Sequence, residues 1–276
     1  MKSKTASTIT IDSYFTPFSS VIMYNKSRRG DIIIRALGIT VFVILILVSV
    51  AGAAPFAYVT SPGIDTGTVF VIDTETDNLT AVVPVEGWPR DVAVNSTGTN
   101  VYVATPGFDP TISVIDTATN TVSATVDVGG YPMQVAVNPA GTKVYVTDRD
   151  GTNISVIDTS TNTLMAPINV GMITRNVVIS PDEKKIYATN PFNNTTSVID
   201  AITNKVITTI SVGYSPYEVA VAPDGNKVYV TNLDSNTVSV IDTATDNVTA
   251  TVPVGDSPSD IAVSPEGKKA YVTNSG

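Results

Sequence analysis

The chain has 276 residues, 43% of them apolar and 15% charged, with a formal net charge of −9. That balance belongs to a globular protein with a sizeable core, not a disordered one. There is no cysteine and no histidine, which excludes disulfides, thiolate chemistry, imidazole acid–base catalysis and the usual zinc, copper or haem ligation.

In chain order, residues 1–35 form a basic n-region containing Lys26, Arg28, Arg29 and Arg35. Within it, Met23 opens "MYNKSRRGDIIIR", an n-region of ordinary length, so residues 1–22 are expected to lie ahead of the true start. Residues 36–54, "ALGITVFVILILVSVAGAA", are an apolar run ending in small residues. They read as a secretory signal cleaved near Ala53 or Ala54, with an uncleaved signal-anchor helix as the alternative. Either way residues 55–276 face outward, and the expected location is extracellular or at the cell surface. Residues 1–53 hold 6 of the 16 basic and 2 of the 25 acidic residues, leaving 10 against 23, or −13, for the remainder. An acidic surface of this kind repels nucleic acid and anionic headgroups. Membrane contact is therefore expected only through the N-terminal segment.

From residue 55 onward one unit is written repeatedly. A "YVT"-type tyrosine stands at Tyr58, Tyr102, Tyr145, Tyr187, Tyr229 and Tyr271, at intervals of 44, 43, 42, 42 and 42. A "VID" aspartate keeps the same step at Asp73, Asp116, Asp158, Asp200 and Asp242. Five units are complete by these landmarks and a sixth is begun. Each holds four short runs rich in Val, Ile, Thr and Tyr, as in "EVAV", "KVYVT", "TVSVID" and "VTATVPV", here called strands A, B, C and D. The A–B links ("NSTG", "NPAG", "SPDE", "APDG", "SPEG") and the C–D links after each "VID" carry turn chemistry. The repeated aspartates are read as turn caps. Strands B and C are apolar on both faces and need cover on both sides. Radially packed four-stranded antiparallel blades supply that cover at a repeat of about 42 residues, so the expected fold is an all-β propeller. A two-sheet sandwich gives no reason for such regularity.

The phrases "VYVTN", "SVIDTATNTV", "ATVPVG" and "IAVSPEGKK" resemble the YVTN-family β-propeller repeat of archaeal surface-layer and other secreted microbial proteins. The resemblance covers about residues 57–276. It implies a propeller, commonly seven-bladed, often one module of a larger surface protein. The chain departs from that pattern at "AYVTSP" and "VYVTDR" and in its number of units. Counted by strands it runs B–C–D, four A–D units, then A–B. This leaves two expectations: a five-bladed ring in which the last A joins the first B–C–D, or part of a longer array.

Function is expected where the units differ, in the B–C loops and the D–A entries, which belong on one face around the channel. One polar residue per unit precedes or opens strand A: Asp91, Gln134, Asn176, Glu218 and Asp260. These oxygens converging on an axis form a candidate Ca²⁺ site, though wet channel walls are polar without any ligand. No other cofactor is expected and no metal ligand is assigned. Arg90 and Arg175, with Trp88 and Tyr217, suit a carbohydrate or an acidic group, or serve as ordinary surface residues. Asp148, Asp150 and Asn153 form a weak calcium-loop pattern. The sequons at Asn78, Asn95, Asn153, Asn193, Asn194 and Asn247 are candidate glycan acceptors. No nucleophile, base and oxyanion donor assemble in the sequence. The expected role is a structural or interaction module meeting envelope proteins or glycans. The alternatives are a lactonase-like hydrolase, an oxidoreductase subunit or a glycan-binding module.

Overall fold

The computed structural model describes residues 22–26, 32–36, 56–62 and 66–276. Apart from Ala36, the apolar run 36–54 lies outside the described residues, as do residues 1–21. Ile22–Lys26 and Ile32–Ala36 pair as an antiparallel hairpin.

The repeats form successive antiparallel sheets. Blade 1 has strands B (Phe56–Ser61), C (Thr66–Asp73) and D (Asn78–Glu86). Blade 2 has A (Asp91–Val94), B (Asn100–Thr105), C (Thr111–Asp116) and D (Thr121–Asp127). Blade 3 has Pro132–Val137, Lys143–Asp148 and Asn153–Asp158, followed by a broken D strand, Thr163–Leu164 and Ile168–Asn169. Pro167 lies in the gap, although Pro84 of blade 1 sits within an unbroken D strand. Blade 4 has Val177–Ile179, Lys185–Asn190, Thr195–Asp200 and Lys205–Ser211. Blade 5 has Pro216–Val221, Lys227–Asn232, Thr237–Asp242 and Asn247–Pro253. The last A and B strands, Pro258–Val263 and Ala270–Asn274, make a two-stranded sheet of their own. That A strand does not join the three-stranded first sheet, so the blade-sharing closure expected for a five-bladed ring is not formed.

The core lies between sheets, not within one. Tyr58 of blade 1 packs with Val92, Val94 and Val101 of blade 2, and Tyr102 with Val135, Val144 and Val146 of blade 3. Tyr145 likewise packs on Val177 and Ile186 of blade 4, and Tyr187 on Val219 and Val228 of blade 5. Each tyrosine therefore covers the following blade. The valine before or after it faces the preceding blade, as Val101 and Val103 do against Val69 and Val83. This accounts for the two-faced apolar pattern of "VYV". Tyr102, Tyr145 and Tyr187 are at most 2% exposed, whereas Tyr271, with no sheet beyond it among the described residues, is 43% exposed. Successive A strands lie against one another while the D strands touch lightly, the wedge arrangement of a propeller.

The turns follow the expected chemistry. Each "VID" aspartate accepts backbone N–H groups two or three residues on; Asp116, for example, takes Ala118 N at 3.0 Å and Thr119 N at 2.9 Å. The fifth residue of each C–D turn is left-handed, from Asp77 (φ 57°) to Asp246 (φ 54°), a conformation that Asn and Asp tolerate. In the A–B turns Gly98, Gly141, Gly225 and Gly267 take φ between 68° and 73°; blade 4 puts Glu183 there at φ 56°. Its carboxylate crosses to the equivalent turn of blade 3, accepting Asn138 Nδ2 at 2.9 Å and also Ala140 N.

Candidate functional site

Strand A starts with a proline in blades 3 and 5 and in the last sheet, and the ladder bulges just after it, between Pro132 and Gln134, Pro216 and Val219, and Pro258 and Asp260. A bulge re-aims the side chain it carries. Gln134, Glu218 and Asp260 sit at this irregularity, whereas the ladders beside Asp91 and Asn176 are regular. The threonine of "YVT" fixes the local geometry: Thr147 Oγ1 accepts Gln134 N at 3.2 Å and donates to Arg175 O at 2.8 Å. Thr189 Oγ1 in turn accepts Asn176 N at 3.1 Å and donates to Tyr217 O at 3.1 Å. One hydroxyl thus joins two blades.

Asp91, Gln134, Asn176 and Glu218, with Arg90, Arg175 and Tyr217, line one depression of about 400 Å³, counted out to open solvent. Met133 completes the lining and is a residue the sequence did not single out, because an apolar residue in a strand looks like core. Trp88 and Asp260 are not in the lining. Trp88 is 39% exposed, with its ring 6.4 Å from that of Phe108, which is 98% exposed in the neighbouring B–C loop.

The polar ring is not a set of free oxygen ligands. Asp91 Oδ2 accepts Val135 N of the next blade at 2.8 Å and its Oδ1 accepts Val92 N at 2.8 Å. Gln134 Oε1 accepts Val177 N of blade 4 at 2.8 Å. Asn176 Nδ2 donates to Glu218 Oε1 of blade 5 at 2.5 Å. Asp260 Oδ1 accepts Ile261 N at 2.7 Å. Asp91, Gln134 and the Asn176–Glu218 pair tie blade to blade, and among the described residues no three carboxylates are placed to share a metal ion. The calcium-loop pattern fails similarly: Asp148 Oδ1 accepts Tyr131 N and Asp150 N, and Asp150 pairs with Arg149 at 2.9 Å.

Burial dominates the electrostatics. It pushes the Asp91 carboxyl up to about 7, against the pull of its two N–H donors. Burial raises Glu218 well above the usual carboxylate range, assisted by the charges of Asp260 and Asp91, and raises Asp260 too. The Arg175 guanidinium stacks 3.4 Å over the Tyr217 ring, and burial lowers its pKa. Burial raises that of Tyr217, opposed by Arg175. A second stack, Arg149 over Tyr131 at 3.8 Å, stands in blade 3.

Of the sequon asparagines, Asn78, Asn153, Asn193 and Asn247 are exposed. Asn95 departs from expectation: it is 6% exposed and its Oδ1 accepts Thr99 N and Asn100 N, closing the A–B turn. Asn194, at φ 57°, is half-buried and accepts Ser215 N at 3.1 Å.

Sheets packed face to face around a polar channel mouth define a β-propeller. The model of the cytochrome D1 heme domain family matches residues 96–219, a little under half of the chain. Among solved structures, the chain is similar to a Kuenenia stuttgartiensis hydrazine synthase chain, with TM-score 0.72 and 23% identity, covering 82% of this chain and 72% of that one. It is also similar to a functionally unknown protein from Desulfotomaculum acetoxidans, with TM-score 0.69 and 20% identity, covering 75% and 69%. At these identities the likeness shows the fold. No curated protein matches the chain. The family match corrects the expectation of no cofactor beyond calcium: the family is one of haem domains, and calcium is withdrawn as the candidate group.

Proposed function

We propose that the chain is an exported binding propeller that works at the cell surface as an interaction module and takes up a carboxylate-bearing ligand at its channel mouth. The observation that carries this reading is Arg175. Its partly desolvated guanidinium is stacked on Tyr217, stands beside Arg90 at the same mouth, and makes no ion pair within 4.0 Å among the described residues. A planar guanidinium held this way is suited to a carboxylate fork. The surface setting is supported by the basic and apolar segments ahead of residue 55, by the acidic remainder, and by the resemblance of its motifs to YVTN surface-layer repeats.

The haem implied by the matched family is one such ligand, since it carries carboxylate side chains. Arg90 and Arg175 suit those groups. The iron is served less well: the chain has no histidine or cysteine, and the haem-ligand types at the mouth are Met133 and Tyr217. Met133 is 8% exposed, and burial keeps the Tyr217 phenol protonated. The donor set fits the acidic edge of a haem and not its metal. The reading is of binding rather than turnover, because Asp91 and Gln134 are committed to neighbouring backbone and Glu218 to Asn176. A glycan is the second ligand class, favoured by the exposed Trp88 and Phe108 rings on this face.

Titration with haem and with the iron-free porphyrin tests the proposal. Binding of both with comparable affinity, weakened at least tenfold by Arg175→Met, is expected. Binding of neither, or binding indifferent to Arg175→Met, would overturn it.

A further inference from the structure

Recognition of a carboxylate uses only the arginines of the mouth. The same depression is lined by Glu218, half-buried and bonded through Oε1 to Asn176 Nδ2. Asn176 is 3% exposed, and its Oδ1, shut off from solvent, accepts no hydrogen bond from the protein. The acidic and basic groups sense each other, since the Arg175 charge lowers the Glu218 pKa while Glu218 raises that of Arg175. They nevertheless form no ion pair within 4.0 Å. The depression therefore offers a ligand both signs of charge. Met133 adds an apolar surface to that lining.

We propose that the mouth binds a small zwitterion of the amino-acid class. Its ammonium is received by the Glu218 carboxylate, its carboxylate by Arg175 and Arg90, and a short aliphatic spacer lies on Met133. This rests on the reading of the mouth as a carboxylate site and narrows it. Each component uses only part of the site: a simple acid leaves Glu218 without a cation, and a simple amine leaves Arg175 without an acceptor. The ammonium also adds a positive charge beside Glu218, Asp91 and Asp260, the three acids whose proximity opposes ionisation. Binding near pH 6 should therefore release protons.

Calorimetric titration of the full chain with 4-aminobutanoate and 6-aminohexanoate, against butanoate, hexanoate and hexylamine, tests the assignment. At least one amino acid should bind tenfold or more tightly than its amine-free acid, and Glu218→Gln should reduce that preference to threefold or less. Should hexanoate or butanoate match the amino acids, the zwitterion assignment falls while the carboxylate reading stands. Should hexylamine match them, or no acid bind at all, both readings fall. The comparison among ligands on the unmodified chain decides the matter even if Glu218→Gln does not fold.

Discussion

Raising the pH from 4 to 7 should weaken this fold, and Asp91 is the main cause. Its carboxyl is 2% exposed, and burial raises its pKa from 3.8 to about 7. Between those values the folded chain keeps a proton that the unfolded chain has released. Stability therefore falls as pH climbs through the window and levels off above it. The difference corresponds to roughly 4 kcal/mol at 1.36 kcal/mol per pKa unit. For a domain of this size that is a loss of roughly 8–16 °C in melting temperature. Glu218 and Asp260, also raised, act in the same direction. The turn aspartates Asp116, Asp158, Asp200 and Asp242 act oppositely, because turn N–H and hydroxyl donors lower their pKa. Their contribution is present above the unfolded value and is lost as pH falls through the folded one. Stability should therefore peak near pH 4 to 5. Thermal unfolding of the wild type and of Asp91→Asn, from pH 4 to 8 at constant ionic strength, separates the terms. The amide keeps an acceptor for Val135 N but cannot ionise, so the wild type should lose ground to the variant by 8 °C or more between pH 4 and 7.5. Parallel curves, or a wild type that gains stability across the window, would refute the reasoning.

Thr189→Val keeps the shape of a fully buried side chain but strands Asn176 N and Tyr217 O; a loss of about 2 kcal/mol in urea unfolding is expected. Lys185 Nζ bonds Thr243 O at 2.7 Å and Asp246 at 2.8 Å across blades 4 and 5, both side chains being largely covered. Lys185→Ala should cost about 1–2 kcal/mol, between the values for exposed and buried pairs, with only part of the loss mimicked by high salt. Glu183→Gly removes left-handed strain of about 1–2 kcal/mol but also the bonds to Asn138 and Ala140. The net expectation is a loss of about 1 kcal/mol, and a more stable variant would show that the strain dominates.

Much of the fold was readable because it is periodic and local. The tyrosine and aspartate spacings set the sheets, "VYV" announced cover on both faces, and "VID" followed by Thr announced a capped turn. The site was legible only in part. Residues of four D–A entries line one depression, while Trp88 and Asp260 stand outside it. What escaped was commitment: nothing in "RDVAV" says that the Asp91 carboxylate reaches Val135 N, 44 residues on. Such contacts depend on blade packing, which no local pattern encodes. Glu183 was hidden in the same way, because "SPDE" contains no glycine to signal a left-handed turn. The haem-family match could not be anticipated from residue chemistry, because the side chains that usually hold haem iron are missing from the chain.

Each tyrosine of the repeat belongs by covalent order to one sheet and by packing to the next, as do the bridging threonines and the Asp91 and Gln134 side chains. The unit that melts or holds together is then the seam between blades, with half its parts encoded in each of two adjacent repeats. A 42-residue segment duplicated in any phase would bring both halves of a new seam with it. Such a chain can grow by copying itself without redesigning a single contact.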